Sequence, residues 1–153
     1  MKFKLRPYQE EASKKAVEFF LDEKKNWNAL EVLPTASGKS LILADIAARL
    51  KDKVLVFSPT KEILEQNYKK YCSYGFDNAS IYSASFKSKE ISDVTFATIG
   101  SVKGHPELFT DFKYILIDEV HLVKPESGMY KEFLDKLKSK VIGLTATPFR
   151  LYS

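Results

Sequence analysis

The segment Leu33–Ser40 carries residue types that bind a polyphosphate. It follows an apolar run, reads Leu-Pro-Thr-Ala-Ser-Gly-Lys-Ser, and opens a helix-forming stretch. Backbone N–H groups in such a loop and at a helix N-terminus point at the anion, the lysine adds a positive charge, and the last hydroxyl can bind Mg²⁺. The segment therefore predicts a nucleoside triphosphate site, and its candidate residues are Thr35, Ala36, Ser37, Gly38, Lys39 and Ser40.

This loop departs from the strict phosphate-loop pattern at two positions. Leu33 stands where that pattern has its first glycine, and Ala36 stands where many such loops have another. Taken alone, a Gly-Lys-Ser segment can also be an ordinary N-terminal helix cap. The choice between the two interpretations therefore depends on the rest of the chain.

Two adjacent carboxylates follow the apolar run Ile115–Ile117. A strand that delivers carboxylates at its end suits Mg²⁺ held beside phosphates, since one can bind the metal while the other polarises an attacking water. Asp118 is the better candidate for the metal and Glu119 for the general base. The alternative is an acidic turn after a strand.

The elements that must position these residues alternate between strands and helices. Mostly apolar runs predict strands at Ala29–Leu33, Val54–Phe57, Tyr114–Ile117 and Val141–Leu144, and weaker ones near Ser80–Tyr82 and Val94–Ala97. Helical spacing predicts helices from Pro7, over Ser40–Leu50 and Lys61–Tyr71, from about Ser101, and around Tyr130–Leu137. This is the pattern of an α/β fold with a mostly parallel sheet and helices on both faces. Ligands bind such sheets at the carboxyl ends of the strands.

Composition is that of a globular domain. The 153 residues are 44% hydrophobic and 29% charged, and the net charge of +4 permits a polyanionic partner without requiring one. No apolar run is long enough to span a membrane, and the N-terminus has no secretory pattern, so we expect a cytoplasmic protein without membrane contact. The single cysteine, Cys72, fits a reducing compartment.

Six segments occur in the order found in one group of motor proteins. They are Leu5–Gln9, Pro34–Ser40, Ser58–Gln66, Ala97–Ser101, Asp118–His121 and Leu144–Pro148. Together they resemble the first motor lobe of a superfamily 2 helicase, most closely the group of type III restriction subunits and related DNA-repair translocases. The resemblance implies a RecA-like P-loop NTPase fold over residues 1–150, with 151–153 starting a linker to a second RecA-like lobe. It also implies ATP and Mg²⁺ as cofactors and a nucleic acid as partner, with DNA favoured over RNA.

The resemblance also implies roles for single residues. Adenine is read by Arg6 and Gln9, although a solvent-facing glutamine is the plain alternative for Gln9. Nucleic acid is contacted by Thr60, Lys61, Thr98 and Ser101, for which a surface lysine and helix caps are the alternatives. Hydrolysis is coupled to lobe movement through His121, Thr145 and Thr147.

Helicases of this type bind ATP between two lobes, and the second supplies an arginine worth roughly 10³ to 10⁵ in rate. Arg150 does not replace it, so we expect a chain that is one lobe of a longer protein, or a reduced relative, and that turns over ATP slowly. A nucleotide-binding switch module without motor activity is the alternative function. A phosphate-loop kinase is less favoured, because no arginine-rich lid follows the loop.

Overall fold

The structure is a computed structural model, and it describes residues 4–22, 29–32, 38–118 and 127–145. The helices are α1 Pro7–Leu21, α2 Lys39–Leu50, α3 Lys61–Ser73, α4 Ile99–Val102 and α5 Ser127–Asp135. The strands are β1 Ala29–Val32, β2 Val54–Phe57, β3 Ala79–Ser83, β4 Ser88–Lys89, β5 Val94–Ala97, β6 Tyr114–Ile117 and β7 Lys140–Thr145. Two short 3₁₀ turns cover Ala84–Phe86 and Pro106–Phe109.

The strands form one sheet in the order β1-β7-β6-β2-β5-β3-β4. All pairings are parallel except that of β3 with β4, which is antiparallel and only two residue pairs long. The strands β2 and β6 lie in the middle of the sheet and begin in register, with Val54 opposite Tyr114. Since parallel strands run in one direction, their carboxyl ends lie along a single edge of the sheet.

Both faces of the sheet are buried, and the alternation of side chains along β2 shows this directly. Val54 and Val56 belong to a core formed with helices α1, α2 and α3. Leu55 and Phe57 belong to a second core that includes Phe133 of α5 and Phe109. Every residue of β2 is therefore buried, which explains why its sequence is a continuous apolar run.

The helix α1 is attached to the rest of the domain at two points. At its C-terminal end, the ammonium of Lys140 on β7 donates to the carbonyl oxygens of Phe19 at 2.7 Å and of Asp22. Near its middle, Ser13 donates to the carboxylate of Asp45 on α2, which is fully buried. Asp45 also accepts from the Nε of Arg49 at 2.7 Å, so its charge is paired inside the protein.

The predicted α/β fold is confirmed, and most elements were predicted within a few residues of their observed bounds. Val54–Phe57, Val94–Ala97 and Tyr114–Ile117 match the observed strands. Other predicted bounds were wrong by one to three residues, because helix and strand ends depend on hydrogen bonds that apolar spacing does not report. The strand β4 was not predicted, since two residues carry no pattern. In the part of the chain that the structure describes, no helix is long and apolar enough to cross a membrane.

Candidate functional site

The candidate residues gather at the carboxyl edge of the sheet. Gly38 begins α2 after the segment that follows β1, and Asp118 follows β6 directly. The backbone N–H of Asp118 donates to the carbonyl of Phe57 at 2.8 Å, which extends the pairing of β6 with β2 by one bond. Thr145, the last residue of β7, lies opposite Val32 at the end of β1. The edge therefore brings the predicted phosphate loop, metal carboxylate and coupling segment together.

The two parts of the predicted ATP site meet through an ion pair. The Nζ of Lys39 lies 3.5 Å from Oδ1 of Asp118, and the carboxylate of Asp118 is almost wholly buried, with 1% of the residue exposed. A buried carboxylate stays ionised only when a partner compensates for the lost hydration. Lys39 gives that compensation, and most of its own side chain is also shielded from solvent.

One buried amide joins the same two parts a second time. The side chain of Asn67 on α3 accepts a hydrogen bond at its Oδ1 from the hydroxyl of Ser40, at 2.7 Å. Its Nδ2 donates to Oδ2 of Asp118 at 2.8 Å and to the hydroxyl of Ser58 at 3.3 Å. Asn67 is only 3% exposed, so these bonds form away from bulk water.

The donor set fits the Mg²⁺ that the predicted site requires. Ser40 and Asp118 contact the same amide, so a hydroxyl and a carboxylate lie side by side next to the phosphate loop. Mg²⁺ takes oxygen ligands and is usually bound through one or two carboxylates together with waters and phosphates. In the described ranges, no cluster of three or more His, Cys, Asp or Glu side chains occurs.

Gln9 lies against the phosphate loop and does not face solvent, so the plain alternative for this residue is wrong. The residue is 6% exposed, and its Oε1 accepts from the backbone N–H of Arg6 at 2.9 Å, which closes the first turn of α1. Its Nε2 lies 2.4 Å from the point that a Cβ on Gly38 would occupy. Gly38 has φ +76°, so a glycine is needed here both for the backbone and for the approach of Gln9. Arg6 is exposed beside this contact.

The first predicted nucleic-acid segment starts the helix α3. Thr60 is its N-cap and accepts from the backbone N–H of Ile63 at 3.2 Å. Lys61 is exposed, and its Nζ lies 5.6 Å from the centre of the Phe86 ring. The ammonium therefore has a defined position above the turn Ala84–Phe86 and remains open to an anion.

The second predicted segment is bonded to that same turn. Thr98 and Ser101 place their hydroxyl oxygens 3.1 Å apart, and the hydroxyl of Ser83 lies 3.3 Å from that of Thr98. The backbone N–H of Ala84 donates to the hydroxyl of Ser101 at 3.0 Å. Thr98 is the N-cap residue of α4, but its side chain makes no cap bond. The two predicted segments thus form one surface, which the turn Ala84–Phe86 connects.

Comparison with known proteins then decides the family. The profile described as "Type III restriction enzyme, res subunit" matches residues 2–150. The chain belongs to this family. The predicted resemblance to the first motor lobe of a superfamily 2 helicase is thereby confirmed.

Two relatives of this res-subunit family member are similar to it in sequence. The DNA 3'-5' translocase XPB2 of Sulfurisphaera tokodaii is 32% identical over 152 residues, covering 97% of this chain and 32% of that protein. The ATP-dependent DNA helicase Hel308 of Methanocaldococcus jannaschii is 30% identical, covering 94% of this chain and 14% of that protein. The chain thus spans a third or less of these relatives.

A solved structure gives the fold of the family independently. The Sulfolobus solfataricus SWI2/SNF2 ATPase core, solved in complex with dsDNA, superposes with a TM-score of 0.76 at 23% identity. The superposition covers 99% of this chain and 34% of that one. The predicted RecA-like fold is confirmed by this and similar structures.

Several predicted residues of this res-subunit lobe lie outside the described residues. They are Thr35, Ala36, Ser37, Glu119, His121 and Thr147. Thr145 is described as the end of β7, but its side chain is not. The roles of all these residues therefore stay predictions.

Sequence reasoning missed two polar side chains of the site, Asn67 and Ser58. Ser58 lies inside a segment that carried the resemblance, but only Thr60 and Lys61 were selected from it. Asn67 follows that segment on α3 and looks like a polar residue of a solvated helix. A signal was present, because Asn67 is three residues from Leu64, whose helical spacing marks the buried face.

Proposed function

We propose that this chain is the ATP-binding lobe of a DNA translocase or helicase. The observation that carries the proposal is the double connection between the phosphate loop and the end of β6. Lys39 forms an ion pair with Asp118, and Asn67 bonds to both Ser40 and Asp118. If the Gly-Lys-Ser segment were only a helix cap, no connection to the buried carboxylate at the end of β6 would be expected. The arrangement therefore favours the phosphate-site interpretation.

In this function, Lys39 and the backbone at Gly38 bind the phosphates of ATP. Ser40 and Asp118 hold Mg²⁺, which neutralises charge on the phosphates when it is bound. As the nucleotide enters, Lys39 would move from Asp118 to the phosphates. The bound Mg²⁺ would then compensate the charge of the carboxylate in place of Lys39. Glu119 takes the role of general base, and Gln9 with Arg6 selects the adenine.

Nucleic acid is proposed to bind the surface formed by Thr60, Lys61, Thr98 and Ser101. Hydroxyls and an ammonium suit a sugar-phosphate backbone, since they position a strand without reading its bases. DNA is favoured over RNA because the relatives are named as a DNA translocase and a DNA helicase. The strength of this preference is part of the proposal.

Movement along DNA is proposed to require a second RecA-like lobe that contributes an arginine to the site. His121, Thr145 and Thr147 would link the nucleotide to that lobe. The described residues belong to one lobe, so we expect the 153-residue chain to bind ATP and to turn it over far below the usual enzyme range of roughly 1 to 10³ per second. The cytoplasmic location remains a prediction.

Titration of the chain with ATP tests this function. Lys39→Ala should abolish measurable binding, because the ammonium is the main positive charge available to the phosphates. Lys69→Ala is the matched control, since Lys69 is an exposed lysine on α3 whose Nζ lies 3.4 Å from the carboxylate of Glu65. If Lys39→Ala bound ATP as tightly as the control, the assignment of the phosphate site would be wrong.

A further inference from the structure

We infer that Asn67 is a positioning residue for the Mg²⁺ site, acting through the two groups that hold the ion. The inference rests on the proposed ATP site and adds to it a residue from α3. Asn67 does not itself contact the ion or the nucleotide in this assignment. It fixes the directions of the Ser40 hydroxyl and the Asp118 carboxylate.

The bonding of the Asn67 amide supports this role. Its Oδ1 accepts from Ser40 at 2.7 Å, and its Nδ2 donates to Asp118 at 2.8 Å and to Ser58 at 3.3 Å. Both ends of the amide are thus used within the site. The orientation of the amide follows from its partners, because the carboxylate of Asp118 can only accept and therefore requires the NH₂ end.

The bonds to Asn67 determine which oxygen atoms of Ser40 and Asp118 can bind a cation. The Ser40 hydroxyl gives its hydrogen to Asn67, so its oxygen lone pairs are left to bind a cation. Asp118 has Oδ2 held by Asn67, and its Oδ1 faces Lys39 at 3.5 Å. Groups that orient metal ligands in this way typically contribute 10- to 100-fold in metal affinity.

Asn67 lies on the helix that also carries the proposed DNA-contacting residues. Thr60 caps the N-terminus of α3, and Asn67 lies on the same helix about two turns later. The proposed DNA-contacting residues Thr60 and Lys61 and the amide that orients the Mg²⁺ ligands therefore belong to one rigid element. A buried asparagine in a helix interior is otherwise a costly choice, because its amide must be satisfied.

The test measures ATP affinity by calorimetry, once with excess Mg²⁺ and once with EDTA. The ratio of the two dissociation constants reports how much the ion strengthens binding. Asn67→Ala should reduce the affinity in Mg²⁺ by about 10-fold or more. Its affinity in EDTA should stay within about twofold of the unmodified chain, because Lys39 is untouched. Gln66→Ala, at the exposed neighbouring position, is the matched control and should leave the ratio unchanged.

Asn67→Thr is a second test variant, for use if Asn67→Ala does not fold. Threonine has nearly the volume of asparagine, but its one hydroxyl oxygen lies a bond closer to the backbone than Oδ1 and Nδ2 and does not replace both of them. Circular dichroism first establishes which variants are folded, and the ratio is then measured on those. A ratio equal to that of the control in a folded variant would overturn the inference, even if its stability had dropped.

The same titrations separate this inference from the proposed function. If Lys39→Ala abolishes binding while the Asn67 variants keep the full effect of Mg²⁺, the ATP site stands and Asn67 has only a structural role. If Lys39→Ala binds ATP normally, the proposed function fails first. A selective loss of the Mg²⁺ effect supports both.

Discussion

Lys39 and Asp118 form an ion pair across the nucleotide site, with 3.5 Å between Nζ and Oδ1. The lysine begins α2 and the aspartate ends β6, so the pair joins two elements that are distant in sequence. In the proposed function, an incoming phosphate therefore competes with Asp118 for the Lys39 ammonium.

Asp118→Asn should change the affinity for ATP in opposite directions with and without Mg²⁺. The asparagine has the same shape but no charge, so it releases Lys39 and weakens the proposed metal site. We expect ATP to bind a few-fold more tightly than to the unmodified chain in EDTA, and at least 10-fold more weakly in Mg²⁺. Asp111→Asn, at an exposed carboxylate, is the control for loss of charge. Weaker binding in EDTA would contradict the competition between Asp118 and phosphate for Lys39.

Gln9→Ala should reduce the preference for ATP over GTP. An amide that donates and accepts can match the edge of adenine, and guanine presents the opposite pattern there. A site built to hydrogen-bond its ligand discriminates strongly, so we expect the ratio of GTP to ATP dissociation constants to fall by about 10-fold. Gln66→Ala controls for the loss of an amide, because Gln66 is exposed on α3. An unchanged ratio would leave Gln9 with a structural role, to which its bond with the backbone of Arg6 contributes.

Lys61→Ala should weaken DNA binding and reduce its dependence on salt. A lysine that neutralises one phosphate releases about one counterion, so the slope of log affinity against log salt should become shallower by about 0.7 for single strands and 0.9 for duplexes. Fluorescence anisotropy with labelled DNA and RNA of equal length measures the slope and the DNA preference together. The exposed Lys70 lies about two and a half turns away on the same helix, above the Tyr74 ring, and its alanine variant is the control. Equal slopes for the two variants would place the nucleic acid elsewhere.

Stability should fall in alkali through Tyr71, whose hydroxyl donates to Asn78 at 2.7 Å. Burial raises the pKa of Tyr71 from its usual 10.0 to about 12. The folded state therefore keeps the proton longer than the unfolded state, so this contribution is complete below pH 10 and is lost as pH rises to 12.

Tyr71→Phe cannot ionise, so the advantage of the unmodified chain over this variant should shrink by roughly 2 kcal/mol between pH 10 and 12, at about 1.4 kcal/mol per pH unit. Denaturant titrations at a series of pH values measure the difference. Tyr8→Phe, at an exposed tyrosine, controls for the loss of a hydroxyl. A constant difference for Tyr71→Phe would show that its hydroxyl is not protected.

The fold could be predicted because its signals are local. Val54–Phe57 and Tyr114–Ile117 are continuous apolar runs, which a strand covered on both faces requires. The helix Lys61–Ser73 was likewise visible from the spacing of Leu64, Tyr68 and Tyr71, although its end lies two residues beyond the predicted one. The strand β4 pairs over only two residues, which is too short for a periodic pattern. Its pairing depends instead on the turn Ala84–Phe86.

The residue types and their order along the chain were enough to assign an α/β fold, a family and a set of candidate site residues such as Lys39 and Asp118. These candidates can be recognised from the sequence because a phosphate loop and a carboxylate after a strand are each a continuous stretch of the chain. The contacts of Asn67 are different, since Ser40, Ser58 and Asp118 reach it from three other segments. Those contacts exist because packing of α3 on the parallel sheet brings the segments together, and such distances are fixed by the whole core rather than by neighbouring residues.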